Sequence, residues 1–226
     1  MKTYYELQEG LQDPHIFKAF FLAGGPGSGK SYVVRNSTGG TGLKVVNSDD
    51  VFEKYLKDAG LSLKMGSEDP RRDIIRGKAK KVTSKKQANY IEGRIGMVID
   101  GTGKDYDKIS KQKANLESLG YDTHMIFVNT SIDVALERNS KRARTVPEDI
   151  AINGWKQVQS NIGKFNTLFR GTMIIVDNNK ADEDMDKLTF KEVKRLLKKK
   201  VKNSRARQWI EMEMKNRGIT KKPKGF

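Results

Sequence analysis

The chain has 226 residues, of which 36% are hydrophobic and 32% are charged, and its formal net charge is +16. This length suits one α/β domain with an appendage and is sufficient to bury a substantial core. Cysteine is absent, which excludes disulfides and cysteine-ligated zinc. No apolar run approaches the ~20 residues of a membrane-spanning helix, and the first residues lack a signal-peptide pattern, so we expect a cytoplasmic protein without a membrane partner.

Short apolar runs alternate with helical patterns along most of the chain, which is typical of βαβ units and a parallel sheet. The pattern predicts strands at 18–23, 43–47, 96–100, 122–128 and 172–177, and helices at 29–37, 50–59, 70–92, 105–119, 131–141 and 147–169. Right-handed crossovers leave few arrangements of these elements. We therefore expect an α/β fold with a five-stranded parallel sheet, helices on both faces and the first strand in the centre.

The first strand leads into a glycine-rich loop, GGPGSGKS at 24–31, which fits G-x-x-x-x-G-K-[ST]. In this motif backbone N–H groups hold nucleotide phosphates, and the following helix adds partial positive charge. The candidate nucleotide-binding residues are Gly25, Gly27, Ser28, Gly29, Lys30 and Ser31. Lys30 is expected to reach the β- and γ-phosphates, and the Ser31 hydroxyl to ligate Mg²⁺. The loop and its strand–helix context predict a P-loop NTPase fold with ATP and Mg²⁺ as cofactors.

Acidic side chains follow the second and third strands, where ligands gather in parallel sheets. The second strand leads into Asn-Ser-Asp-Asp, so that Asp49 or Asp50 is placed to accept a proton from an incoming hydroxyl. Either aspartate would alternatively cap the next helix. The third strand ends at Asp100, before Gly101-Thr102-Gly103, and we expect this carboxylate to hold Mg²⁺ through water together with Ser31. A simple turn is the alternative at that position.

A basic run lies at the end of the helix that follows the fourth strand. Residues 138–144, RNSKRAR, hold four cations and precede Val146-Pro147. A basic helix–loop–helix corner of this kind is typical of a lid, in which one arginine neutralises charge on the transferring phosphoryl group. A solvated basic corner is the alternative.

The carboxyl-terminal segment carries most of the positive charge. Residues 187–226 hold 15 Lys and Arg against three Glu, a net charge of +12. Such a segment favours nucleic acid or another polyanion as a partner, the alternative being a solvated helical surface. Two apolar stripes within it predict helices that dock on the body or on a partner.

The P-loop, the Asn-Ser-Asp-Asp turn at 47–50 and the run at 138–142 with Val146-Pro147 together resemble the kinase domain of tailed-phage polynucleotide kinase. Their order and spacing are also similar to those of zeta-toxin-type kinases, whose Asp-Gly-Thr after the third strand has its counterpart at 100–102. The resemblance implies that Asp49 is the general base, Arg142 the catalytic lid arginine and Arg138 a residue nearer the nucleotide. The resemblance covers roughly residues 15 to 179. We therefore expect a lead-in at 1–14 and a P-loop kinase domain at 15–182, and the charge pattern adds a basic helical tail at 183–226.

By this resemblance the chain is a phosphotransferase that moves the γ-phosphoryl group of ATP to a hydroxyl, in the host cytoplasm if it is phage-encoded. The favoured acceptor is the 5′-hydroxyl of a polynucleotide, and the sugar of a small nucleotide is the alternative acceptor. In polynucleotide kinase an arginine three residues after the base helps to hold the substrate phosphate, whereas Phe52 stands at that position here. The basic helix at 70–92, which includes Arg76, is expected to border the acceptor side.

A GTP-binding protein is an alternative of a different class. Asn179-Lys180-Ala181-Asp182 fits the guanine-reading motif N-K-x-D, and Asp100-x-x-Gly103 fits the switch motif of GTPases. The Asn-Ser-Asp-Asp turn and the lid have no role in such a switch. A GTP-driven switch, GTP as the phosphoryl donor and a nucleic-acid-binding ATPase stay open as alternatives.

Overall fold

The computed structural model describes residues 10–64, 69–142, 144–180 and 183–220. Within these ranges five strands form one parallel sheet: β1 (Lys18–Ala23), β2 (Lys44–Val46), β3 (Met97–Asp100), β4 (Asp122–Asn129) and β5 (Met173–Asp177). Their spatial order is β2-β3-β1-β4-β5, so the first strand is central. The predicted parallel sheet and the central position of its first strand are confirmed.

Nine helices lie within the described ranges: α1 (Lys30–Thr38), α2 (Ser48–Asp58), α3 (Arg71–Glu92), α4 (Tyr106–Ser118), α5 (Ile132–Ser140), α6 (Glu148–Ser160), α7 (Ile162–Leu168), α8 (Glu183–Lys198) and α9 (Ser204–Asn216). None of the helices in the described part of the chain has the length and apolar character needed to cross a bilayer.

Strand β1 is buried along its whole length, which explains its apolar sequence KAFFLA. A strand with parallel neighbours on both sides and helices on both faces has no solvent-facing side, so apolar residues are continuous rather than alternating. The register pairs Leu22 with Asp100 of β3 and Ala23 with Phe127 of β4. The loops that follow β1, β3 and β4 therefore open at one edge of the sheet.

Each face of the sheet has its own core. On one face Phe20 and Leu22 pack in a cluster with Val33 of α1 and Val193 of α8. The cluster on the other face contains Phe21 and draws buried side chains from four helices, namely Leu116 of α4, Val158 of α6, Phe165 of α7 and Ile210 of α9. The prediction of helices on both faces is thus confirmed.

The two carboxyl-terminal helices pack against the body through their apolar stripes. Val193, Leu196 and Leu197 of α8 are buried with the α1 side of the sheet, and Ala206 and Ile210 of α9 are buried with the other side. Both helices therefore contribute to the cores, and their lysines lie on the outer surface. The domain boundary at residue 182 stays a prediction.

The single helix predicted at 147–169 is wrong, because it breaks into α6 and α7 at Asn161. The Asn161 amide donates hydrogen bonds to the carbonyl oxygens of Gly103, at 3.1 Å, and Lys104, at 2.9 Å. These bonds join the break to the loop after β3. The apolar spacing continues across the break, which is why the sequence pattern did not indicate it.

Candidate active site

The P-loop adopts a backbone that only glycine accommodates at two positions. Gly27 has φ 77° and Gly29 has φ 82°, in the left-handed region. A Cβ atom at Gly27 would overlap the carbonyl oxygen of Ala135, and one at Gly29 would overlap the Asn178 amide. The loop therefore turns tightly against α5 and the end of β5, and its backbone N–H groups are available to an anion at the start of α1.

Asn178, just after β5, connects the P-loop to α5, the helix in which the basic run 138–144 begins. Its buried amide donates a hydrogen bond of 2.7 Å to the Ser28 carbonyl oxygen. Arg138 of α5 donates to the carbonyl oxygens of Asn178, at 2.6 Å, and Asn179, at 3.4 Å. The structure thus places Arg138 beside the P-loop. Arg138 fixes the backbone at Asn178, and the Asn178 side chain fixes the backbone at Ser28. Sequence reasoning missed Asn178, for which the only signal is an Asn-Asn pair after a strand.

The Asn179 side chain is engaged within the fold. Its carbonyl oxygen accepts the Ser131 N–H at 2.7 Å, and its amide donates to Asp177 at 2.6 Å. Residues 181–182, the other end of the N-K-x-D pattern, lie outside the described residues. In the described part, Asn179 is an Asx-type connector between two loops, and Asp177 takes one of the two N–H groups of its side-chain amide.

Lys30 lies among the charged groups predicted for the site. Its ammonium group donates to the carbonyl oxygens of Gly24, at 2.7 Å, and Gly25, at 3.1 Å. Burial lowers the pKa of Lys30, the charge of Asp100 opposes this shift, and the nearby positive charge of Arg142 adds to it. Three charges therefore act on one ammonium group: Asp100 at the end of β3, Asp49 in the first turn of α2, and Arg142 in the basic run.

Asn47, and not an aspartate, caps α2, which begins two residues earlier than predicted. The side-chain oxygen of Asn47 accepts the backbone N–H of Asp49 at 2.7 Å. Its amide donates to Asp50 at 3.0 Å and to Asp100 at 2.9 Å. The capping role considered for Asp49 or Asp50 is thus wrong, and both carboxylates of the first turn are left for other contacts.

Asp49 is held in its ionised form by two arginines. Arg76 of α3 donates to its carboxylate at 2.5 Å, and Arg144 lies 3.6 Å from the same oxygen. Burial alone would raise the pKa of Asp49, but the Arg76 hydrogen bond and the Arg144 charge outweigh it, so the pKa is lowered. The neighbouring Asp50 has a raised pKa, because burial and the negative charges of Glu53 and Asp49 disfavour its ionised form. Asp49 is the stronger candidate for a carboxylate that stays ionised at the site.

Three arginines surround the Phe52 ring, and we call them the arginine cluster: Arg72, Arg76 and Arg144. Their guanidinium carbons lie 5.8, 4.8 and 5.5 Å from the ring centroid, respectively. These distances are within the range of cation–π contacts. The Phe52 ring thus contacts two arginines of α3 and one arginine of the basic run 138–144. Sequence reasoning had placed Arg76 near the acceptor but had not predicted its contacts.

Within the lid run, Arg144 reaches Asp49 while Arg142 is exposed. The Arg144 side chain is only 14% exposed and also contacts Glu53 at 3.3 Å. Arg142 makes no ion pair with any described residue, although its charge acts on the pKa of Lys30. The sequence therefore predicted a role for Arg142, whereas the arginine that lies beside Asp49 in the structure is Arg144.

Ser31 and Asp100 fit a magnesium ion. Together with Asn47 and Asp50 they line a cavity of about 520 Å³ next to the P-loop. Burial and the charges of Asp49 and Asp50 raise the pKa of Asp100 to about 6, although Lys30 opposes the shift. A divalent cation would relieve this repulsion. No group of three or more His, Cys, Asp or Glu in the described chain is placed to hold a metal, and Mg²⁺ at Ser31 and Asp100 stays a prediction.

This fold and this site define a P-loop nucleotide-binding protein, with the loop, an ionised carboxylate and a basic run at one edge of a parallel sheet. A sequence model of the Zeta toxin family matches residues 4–187. The chain therefore belongs to the Zeta toxin family.

Individual proteins and solved structures are also similar to parts of the chain. A cytidylate kinase of Methanothrix thermoacetophila (strain DSM 6194 / JCM 14653 / NBRC 101360 / PT) is 32% identical over 84 residues, 35% of this chain and 49% of that protein, so the chain spans about half the length of this curated relative. A solved chain of the PezAT chromosomal toxin–antitoxin system of Streptococcus pneumoniae has a TM-score of 0.52 at 14% identity, over 80% of this chain and 87% of its own. A chain of the Pnkp1/Rnl/Hen1 RNA repair complex has a TM-score of 0.53 at 20% identity, over 67% of this chain and 47% of its own. The resemblance to these two groups is confirmed for the fold.

Proposed function

We propose that this protein is an ATP- and Mg²⁺-dependent kinase that transfers the γ-phosphoryl group to an acceptor hydroxyl. The observation that carries the proposal is the position of Asp49. Its carboxylate is ionised, partly exposed and close enough to Lys30 for the two charges to affect each other. A switch GTPase has no use for a base aimed at an acceptor.

Each residue then has one task. The backbone of the P-loop and Lys30 bind the triphosphate, and Arg142 closes over the transferring group as charge develops on it. Asp49 accepts the proton of the acceptor hydroxyl. The hydroxyl oxygen then bonds to the γ-phosphorus as the bond between that phosphorus and the ADP oxygen breaks. The products are ADP and a phosphate ester, with the proton on Asp49 until it passes to water. Ser31 and Asp100 would hold Mg²⁺, which neutralises phosphate charge when it is bound.

The arginine cluster supports an acceptor that carries a phosphate of its own. Guanidinium groups bind phosphate in two-pronged fashion, and Arg76 and Arg144 lie next to the candidate base. An arriving phosphate would compete with Asp49 for these arginines. This supports the 5′-hydroxyl end of a polynucleotide, in which the next phosphate follows one nucleotide later. A nucleotide sugar also carries phosphate, and the family membership supports it as the second candidate.

The test offers radiolabelled ATP to 5′-hydroxyl DNA, 5′-hydroxyl RNA and a panel of nucleotide sugars. The role of the lysines on the outer surface of α8 and α9 is tested by substituting them. Truncation is unsuitable because both helices contribute to the cores. Asp49→Asn is expected to lower turnover by ~10²-fold or more while ATP affinity stays nearly unchanged. Asp50→Asn is the matched control and is expected to retain most of the activity. Normal turnover in Asp49→Asn together with an inactive Asp50→Asn would reverse the assignment of the base.

A further inference from the structure

A second cavity, of about 730 Å³, lies at the amino-terminal edge of the sheet, away from the P-loop. Lys18 at the start of β1 and Asp122 at the start of β4 line it, as does Thr172 before β5. The six residues of β1 separate it from the P-loop by about 20 Å at ~3.3 Å per residue. Its volume is in the range of ligand pockets, roughly 300–1,000 Å³.

Two buried residues with ionisable side chains are among those that line this cavity. Lys18 is 1% exposed and pairs with Asp122 at 2.8 Å. His124 is 3% exposed and packs on the Phe20 ring with 4.7 Å between centroids. Neither ring nitrogen of His124 has a hydrogen-bond partner among the described residues. An unsatisfied buried polar group costs about 1–3 kcal/mol, so His124 is suited to a ligand that supplies partners.

The His124 ring is neutral near pH 7. Burial, followed by the positive charge of Lys18, lowers its pKa to about 3. A neutral imidazole has one nitrogen that donates a hydrogen bond and one that accepts. It therefore fits the hydroxyl or base of an organic ligand as well as a phosphate oxygen.

The rim of the cavity is positively charged, and its acidic groups are already engaged. Five cations of the lining make no ion pair with any described residue, although one of them, Arg205, donates to the Ser118 carbonyl oxygen: Arg170, Lys199, Lys200, Lys202 and Arg205. Glu117 is bonded to Lys113 at 2.6 Å and to the Thr123 hydroxyl at 2.7 Å. Asp122, besides its pair with Lys18, accepts the backbone N–H groups of Lys202 and Asn203. The charge left for a ligand is therefore positive.

We propose that this cavity is a second ligand site that binds a small organic phosphate of about nucleotide size. The rim cations bind the phosphate, and His124 contacts the organic part of the ligand. A polynucleotide lying across the surface would meet the rim lysines, but only a group that enters the cavity reaches a side chain as buried as His124. The site is separate from the catalytic edge and does not depend on the proposed kinase activity.

The test uses the two histidines of the chain, His15 and His124, as NMR reporters. The full-length protein is saturated with Mg²⁺ and a non-hydrolysable ATP analogue, and adenosine monophosphate is then titrated. We expect a saturable shift of the His124 imidazole signals, while the signals of His15, which does not line the cavity, stay in place. Removing three rim charges with Lys199→Ala, Lys200→Ala and Lys202→Ala is expected to weaken this binding at least 10-fold.

The matched control removes three charges from the exposed surface of α8 with Lys191→Ala, Lys194→Ala and Lys198→Ala. Its affinity is expected to stay within twofold of the original protein. Equal weakening in both triple variants, or no shift of His124 with adenosine monophosphate, would overturn the proposal. A His124 shift with a single-stranded oligonucleotide and none with the mononucleotide would also overturn it, in favour of polynucleotide binding.

Discussion

Replacing Asn178 by alanine tests whether the P-loop is kept in order from the far end of the sheet. The substitution removes the 2.7 Å hydrogen bond and leaves the carbonyl oxygen of Ser28 buried without that donor. A buried group without its partner costs about 1–3 kcal/mol. If the loop escapes this cost by changing its conformation, ATP binding must restore the ordered loop, and the same free energy is subtracted from binding. Since each 1.4 kcal/mol changes a dissociation constant about tenfold, affinity for ATP should fall by about 5- to 150-fold.

The affinity is measured by titration with a fluorescent ATP analogue, and the free energy of unfolding by urea denaturation. Asn166→Ala, at an exposed position of α7, is the control and should change neither quantity. Asn178→Asp keeps the shape but replaces the donor by a carboxylate that faces a carbonyl oxygen, so it should be at least as damaging as the alanine. ATP affinity within twofold of the original in Asn178→Ala would refute the reasoning.

Three further predictions concern the lid, a buried carboxyl and the last helix. Arg142→Ala should lower kcat more than it raises the KM for ATP, and equal effects on both would make Arg142 a nucleotide-binding residue instead. Because the pKa of Asp100 is about 6 when folded and near its ordinary 3.8 when unfolded, this group makes stability fall as pH rises from about 4 to 6, and the penalty remains above pH 6. Asp100→Asn should therefore raise Tm at pH 8 without metal, by about 2–4 °C for each kcal/mol relieved, and leave it unchanged at pH 4; a Tm gain equal at both pH values would contradict this. Ile210→Ala, at a buried position, should cost about 2–5 kcal/mol in urea unfolding, whereas Met212→Ala, 52% exposed on the same helix, should stay within about 0.5 kcal/mol; equal costs would contradict the packing of α9.

The sequence predicted the features that depend on local patterns. The run KAFFLA followed by the P-loop is a buried strand and a phosphate loop in any fold, and both are present. Features created by long-range contacts escaped it. The break at Asn161 depends on carbonyl groups of Gly103 and Lys104, which are more than 50 residues away. The contact between Arg76 and Asp49 joins two helices whose packing no pattern of spacing indicates.

The packing of the carboxyl-terminal helices bears on how the protein folds as it is synthesised. Strand β1 is synthesised early, but the strands that pair with it, β3 and β4, follow later. Helix α8, which covers one of its faces, ends only at Lys198. At ~5–20 residues per second, translation from the end of β1 to the end of α8 takes roughly 10–35 s. During that interval the apolar segment 19–23 leaves the ribosome without its final neighbours. The nascent chain thus leaves this apolar segment without part of its cover until α8 has been made, and the P-loop lacks its hydrogen bond from Asn178 until β5 has been made.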